Sequence, residues 1–168
     1  MTHHPAALDD QALLDQCRLE KSRSGGPGGQ HRNKVETLVT ITHQPTGLSA
    51  HAGERRRAIE NKQVAITRLR LVLAVHVRTP VPLGEARSEL WIRRTPARRI
   101  VCSTDHRHLP AMIAEALDMA HATRYDHRLA ATRLGVSPTQ LTRFVARHPP
   151  ALAWWNHQRA ALGHHPRR

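Results

Sequence analysis

Gly28, Gly29 and Gln30 are the residues of this sequence best suited to chemistry, and they lie in the basic stretch Arg23-Ser24-Gly25-Gly26-Pro27-Gly28-Gly29-Gln30-His31-Arg32-Asn33-Lys34. Glycine has no Cβ, so another molecule can come close to its backbone amides, and positive φ costs it nothing. Amides exposed in this way can donate to negative charge that develops in a transition state. The chemistry this favours is hydrolysis of an ester carried on a polyanion, because Arg23, Arg32 and Lys34 bring cations for phosphates. A Ser/His/Asp constellation is not required for it. His31 reads as an RNA-contacting or packing residue rather than a general base.

Beyond the glycines the order is His31-x-Asn33-Lys34, then Glu36-Thr37-x-Val39-x-Ile41-Thr42-His43, then Pro45-Thr46-Gly47. This run resembles the GGQ domain of class I peptide chain release factors and of the stalled-ribosome rescue hydrolases related to them. The similarity continues more thinly through Arg56, Asn61, Lys62 and Ala65, over about the first half of the chain. It implies that the loop enters the peptidyl transferase centre of the large ribosomal subunit, where water attacks the ester of the P-site peptidyl-tRNA. In that resemblance Gly28, Gly29 and Gln30 are the catalytic set, with the Gln30 main-chain N–H as donor to the oxyanion. The Gln30 side chain would shape a pocket that admits water and rejects larger nucleophiles. Arg23, His31, Arg32, Asn33 and Lys34 would anchor the loop on rRNA, with neither cofactor nor metal. One departure is Gly25, where the family commonly has Ser. The same glycines fail as a P-loop, since no Gly-Lys-Ser/Thr follows, and as a KH clamp, since the flanking segments read as strands.

The net charge of +13 is shared by both halves: residues 1–78 hold 12 Lys/Arg against 7 Asp/Glu, and residues 79–168 hold 14 against 6. Only Lys21, Lys34 and Lys62 are lysines, and the planar fork of arginine suits phosphates better than a point charge does. Cys17 and Cys102 stand alone, without metal spacing, and read as free thiols in a reducing compartment. The 14 histidines are scattered and suggest no metal. The apolar stretch around residues 69–77 contains Arg70 and His76, too short and too polar for a membrane span. A cytoplasmic, monomeric protein is expected.

These features need a scaffold. Residues 9–16 predict a short helix capped by Asp9 or Asp10, with Leu13 and Leu14 inward. Residues 17–21 and 37–43 predict strands, and a type I turn over residues 44–47 leads to a third at 48–51. From about residue 54 to 77 the apolar period turns helical, with Ile59, Ile66, Leu69 and Leu73 as the stripe and Pro80 as the stop. Arg55, Arg56, Arg57 and Lys62 would load its first turns against the helix dipole, a place for an RNA phosphate or simply for solvated cations.

The expected fold is α+β: a small antiparallel sheet with a covering helix over residues 1–78, then a small all-α domain with a helix-turn-helix-like pattern. Residues 79–105 read as a basic linker with an arginine ribbon or hairpin around Thr95-Pro96, residues 106–163 as the helical domain and residues 164–168 as a disordered basic tail. The helical stripe from Pro110 holds Met112, Ile113, Ala116, Leu117 and Ala120, and a second helix runs near residues 126–134. Ser137 and Gln140 have capping-box spacing with Pro138 at the first helical position, and Thr139, Thr142, Arg143 and Arg147 would face outward. A last helix over residues 151–162 buries Leu152 and Trp155.

The 22 residues before Arg23 are too few for a codon-reading domain, and no Lys-rich tail is present. Codon-independent peptidyl-tRNA hydrolysis on stalled ribosomes or separated large subunits is therefore the expected activity. The partners are rRNA and P-site tRNA, and Arg143 and Arg147 are candidate RNA contacts. The alternative is a helix-turn-helix regulator carrying a non-catalytic relic of the first domain.

Overall fold

Alternating β-branched residues at 39–42 form the central strand of a sheet whose neighbours lie on either side of it in sequence. The computed structural model describes residues 4–22 and 37–167. It divides into two compact units, Leu8–Leu73 and Met1–Ala7 with Ala74–Arg168. The class is α+β, as expected.

In the first unit, α1 (Asp10–Leu14) is capped by Asp9, whose side chain accepts from the Ala12 N–H. Strands β1 (Cys17–Ser22), β2 (Leu38–His43) and β3 (Ser49–Ala52) follow in the order β1-β2-β3, all antiparallel. Their pairing sets Leu19 against Ile41 and Ile41 against Ala50. Val39, Ile41, Ala50 and Ala52 are therefore buried on one face, and Leu13 joins them. Helix α2 (Ala58–His76) contributes Ala65, Ile66, Leu69 and Leu73 to the same core. Arg70 of α2 donates to the Leu8 carbonyl at 2.5 Å and to Asp10 Oδ1 at 2.7 Å, which ties the start of α1 to α2.

Three details differ from expectation here. The turn after β2 closes one residue early: the Thr46 and Gly47 amides both donate to the His43 carbonyl, and Gly47 takes φ +70°, so β3 begins at Ser49. Helix α2 begins at Ala58, so Arg55, Arg56 and Arg57 occupy the bend before it rather than its first turns. Ile59, expected in the stripe, is 69% exposed, whereas Asn61 on the same first turn is fully buried.

The second unit is all helix among the described residues. Its axis is α4 (Leu109–Ala122), which buries Met112, Ile113, Ala116, Leu117 and Ala120 as its spacing predicts. Around it lie α5 (His127–Arg133), α6 (Pro138–Val145) and α7 (Pro149–Ala161). Asp126 caps α5 through the Arg128 and Leu129 amides, and Ser137 caps α6 through the Gln140 amide. The Gln140 side chain does not reach back to complete the box; it accepts the Ile100 N–H at 2.9 Å instead. Between α5 and α6, Gly135 takes φ +68°, a conformation that strains any residue with a Cβ.

The stretch expected as a linker is part of this unit. Helix α3 (Glu89–Arg94) is capped by Ser88, and a 3-10 turn at Pro96–Arg98 stands where an arginine ribbon or hairpin was expected. Trp91 is fully buried, donates from Nε1 to the Leu134 carbonyl at 2.9 Å and meets the Phe144 ring edge-on at 6.0 Å. Removing such a ring costs about 3–5 kcal/mol, against ~0–1 for an exposed ion pair, so α3 is a core element. The tail is not free either: Asn156 exchanges two hydrogen bonds with the Arg167 backbone, and Arg159 donates to the His165 carbonyl. Thr142 is buried rather than outward, and Leu152 is only half-buried. Trp154 lies edge-on to Tyr125 at 5.8 Å with the Arg78 guanidinium 4.8 Å from its ring.

His43 yields a pH prediction. Its ring bonds Thr46 Oγ1 at 2.8 Å and Gln16 Oε1 at 3.1 Å, and burial holds its pKa below the usual 6.5. The folded state thus prefers neutral imidazole, so the unfolded chain binds the proton more readily. This contribution to stability is complete above about pH 6.5 and falls as pH drops toward the folded pKa. His43→Gln should therefore lose less stability than the wild type between about pH 7.5 and 5.5, read as the change in urea midpoint. Parallel pH dependences in the two proteins would refute it.

Candidate functional site

Gly28, Gly29 and Gln30, together with Arg23, His31, Arg32, Asn33 and Lys34, lie outside the described residues. What the structure describes is the frame that carries them. Strand β1 runs to Ser22 and β2 starts at Leu38, and these two residues are partners in the ladder. Six consecutive pairs, from Cys17↔His43 to Ser22↔Leu38, fix the points at which the intervening segment leaves and rejoins the sheet.

The return point is fastened a second time. Asn61 is fully buried, and its Nδ2 donates to the Thr37 carbonyl at 2.6 Å and to the Arg55 carbonyl at 3.0 Å. Its Oδ1 accepts the Arg55 N–H at 2.9 Å. One amide thus satisfies both backbone groups of Arg55 and one of Thr37. As a result, the bend with Arg55, Arg56 and Arg57 lies beside the residue on which the motif segment re-enters the sheet. The Arg57 carbonyl accepts the Asn61 N–H at 3.2 Å, so the three cations stand just off the positive end of the α2 dipole.

The cations of this unit fall into two groups. Arg68 pairs with Glu54 at 2.6 Å and donates to the His51 carbonyl, and Arg70 is held as described, so both are structural. Among the described residues, Arg55, Arg56, Arg57 and Lys62 make no ion pair, and the three arginines are exposed. Among the described residues no ion pair offsets the repulsion among them, which favours an anionic partner at this bend. In the second unit the expected pair Arg143 and Arg147 separates. Arg143 is exposed on α6 without a partner among the described residues, whereas the Arg147 guanidinium donates to the Cys102 carbonyl. Arg147 therefore helps to hold the loop that follows the 3-10 turn.

In the sequence Asn61 stands out only as a matching position, and its work as a clamp is not visible there. Its available signal is an amide placed among the apolar residues of α2, since such a group is kept buried only when its hydrogen bonds are made.

Comparison with known proteins agrees with this frame. Residues 12–94 match the RF-1 domain. The chain carries an RF-1 domain. It is 31% identical over 112 residues to peptide chain release factor 1 of Symbiobacterium thermophilum, covering 60% of this chain and 31% of that protein. Against peptide chain release factor 1 of Chloroherpeton thalassium the identity is 37% over 100 residues, covering 60% and 25%. Against peptide chain release factor 2 of Treponema pallidum it is 41% over 75 residues, covering 42% and 20%. The chain spans less than a third of the length of each of these relatives. Within the RF-1 domain, both the ladder that bounds the motif segment and the Asn61 clamp lie inside the matched stretch.

Asn61→Ala removes three hydrogen bonds and leaves the Thr37 carbonyl and both Arg55 backbone groups without their partner. The RF-1 domain should lose about 2–3 kcal/mol, at the upper end of the cost of stranding buried polar groups. Native-state hydrogen exchange should show the Arg55 amide losing protection. An Arg55 amide equally protected in both proteins would show that the clamp is not formed.

Proposed function

We propose that this chain hydrolyses the ester of P-site peptidyl-tRNA on the ribosome, without regard to the codon, and so frees nascent peptide from stalled ribosomes or separated large subunits. The observation that carries the reading is the RF-1 match over residues 12–94 with Gly28-Gly29-Gln30 inside it, between strand ends held in register. Gly28 and Gly29 allow close approach, the Gln30 main-chain N–H donates to the oxyanion and the leaving ribose oxygen, and water is the nucleophile. A main-chain donor does not titrate, so its contribution stays constant across pH. Arg23, His31, Arg32, Asn33 and Lys34 hold the loop on rRNA, and the unpaired bend Arg55–Arg57 with Lys62 binds phosphates beside its base. The protein works as a monomer in the cytoplasm.

Codon independence is supported by what accompanies the RF-1 domain here: an arginine-rich helical unit, which we read as holding the protein on RNA where full-length factors use codon contacts. Shared sequence covers a quarter to a third of the two type 1 relatives, so the codon requirement is argued from this chain and not taken from them.

Gly29→Ala should reduce release of labelled peptide from P-site tRNA at least 10²-fold, on the order of losing an oxyanion donor, while ribosome binding stays within about twofold because the cations remain. Gln30→Ala should impair release less, since it keeps the main-chain N–H. Wild-type release by Gly29→Ala would remove the mechanism.

Release rates should also agree within about threefold for complexes with a stop codon, a sense codon or no codon in the A site, too small a spread for codon-dependent transition-state binding. A strong preference for stop codons would show that the helical unit, or a factor it recruits, reads mRNA.

A further inference from the structure

At the start of α6 the helical unit has a cavity of about 330 Å³ whose polar lining includes His127, Thr139, Thr142, Arg143 and Arg167. These groups are not tied up elsewhere. Among the described residues, Arg143 and the His127 ring have no hydrogen-bond or ion-pair partner, and neither hydroxyl of Thr139 or Thr142 is engaged. Thr142 is only 7% exposed, and the Arg167 Nε is buried without an acceptor. A buried group left this way, as Arg167 Nε is, costs the fold stability unless something outside the chain completes it.

What is missing is an acceptor with negative charge. The charged groups facing His127 are Arg167, Arg159, Asp126 and Arg128; burial and these arginines hold its pKa below 6.5 against the opposing pull of Asp126. Asp126 offsets only part of this positive charge, one carboxylate against Arg128, Arg159 and Arg167, and its Oδ1 is directed to the Arg128 amide at 2.8 Å and the Leu129 amide at 3.1 Å. Arg159 stands behind, committed to the Tyr125 and His165 carbonyls. Two free guanidinium groups, two hydroxyls and an imidazole N–H form the donor set of a phosphate site. The space exceeds that of a phosphate alone and leaves room for the attached sugar, where a threonine hydroxyl can meet a ribose 2′-OH.

Resting on the ribosomal reading above, we propose that this cavity holds a backbone phosphate of RNA, with Arg143 and Arg167 as its cations and Thr139, Thr142 and His127 as further donors. The helical unit is then an RNA-binding part in its own right. It grips the strand at the entry to α6, while Arg147 stays structural.

The test uses the full chain and a fluorescein-labelled uridine dodecamer, followed by anisotropy at several salt concentrations. Arg143→Glu should bind about tenfold more weakly, and its salt slope should be lower by about 0.7 for each phosphate it no longer neutralises. Thr142→Val, close in shape, should weaken binding a few-fold. Both substitutions should leave the thermal unfolding curve near that of the wild type; should Thr142→Val melt early, Arg143→Gln replaces it and should weaken binding less than Arg143→Glu does. The imidazole resonances of His127 should report a raised pKa when RNA is added. Equal affinity and equal slope for Arg143→Glu and wild type would overturn the proposal. A His127 response to millimolar inorganic phosphate with no effect of Arg143→Glu on RNA would also overturn it, assigning the cavity to a free anion. Tighter, Arg143-dependent binding of duplex DNA than of RNA would overturn it in favour of a DNA-binding unit. Peptide release is scored separately: a wild type that binds RNA through Arg143 and releases no peptide would remove the hydrolase and keep the cavity.

Discussion

A single buried amide, that of Asn61, fixes where the chain re-enters the sheet at Thr37. Asn61 satisfies groups from two other parts of the chain, at sequence separations of 24 and 6 residues, inside a core too small to tolerate unpaired polar atoms. Breaking its bonds would strand the Arg55 backbone and the entrance to β2 together, so the bend and the strand move as one body. The ladder between β1 and β2 does the same for the departure at Ser22. The segment between Ser22 and Thr37 is thereby bounded by secondary structure at both ends.

The charge distribution follows the same division. Several arginines are consumed by the fold: Arg70 on the Leu8 carbonyl and Asp10, Arg78 on Asp118, Arg159 on the Tyr125 and His165 carbonyls. These act as cross-links between backbone segments, a use to which a five-donor planar group is well fitted. Those without such a partner among the described residues, as at the bend of Arg55, Arg56 and Arg57, repel one another, a cost that an anionic surface would relieve. Counting arginines overstates the binding surface; subtracting the bonded ones locates it.

Much of this was legible in the sequence, and the failures share a cause. Alternation at Val39 and Ile41, the Asp9 and Ser137 caps and the stripe from Met112 to Ala120 depend on neighbours within a turn or two, and such signals survive in one dimension. Trp91 looks like part of a linker in one dimension because its partners, Leu134 and Phe144, stand more than 40 residues away. Gln140 has the spacing of a local cap but its oxygen serves Ile100, and Arg147 has an outward spacing yet is claimed by the Cys102 carbonyl. The motif could be named from its residues, whereas the bond that mounts it could not, since nothing near Asn61 in sequence shows that Thr37 lies above it.

The aromatic residues have an optical consequence. Trp91, Trp154, Trp155, Tyr125 and Phe144 are the whole aromatic complement of the chain, and every one belongs to the helical unit. The Leu8–Leu73 unit has no chromophore beyond its peptide bonds. Indole emission is therefore a private channel for one half of the molecule, and the Arg78–Trp154–Tyr125 stack makes that channel sensitive to packing. A single tryptophan placed on the exposed face of β1 would open a second channel, and the two halves of the protein could then be watched separately in one sample.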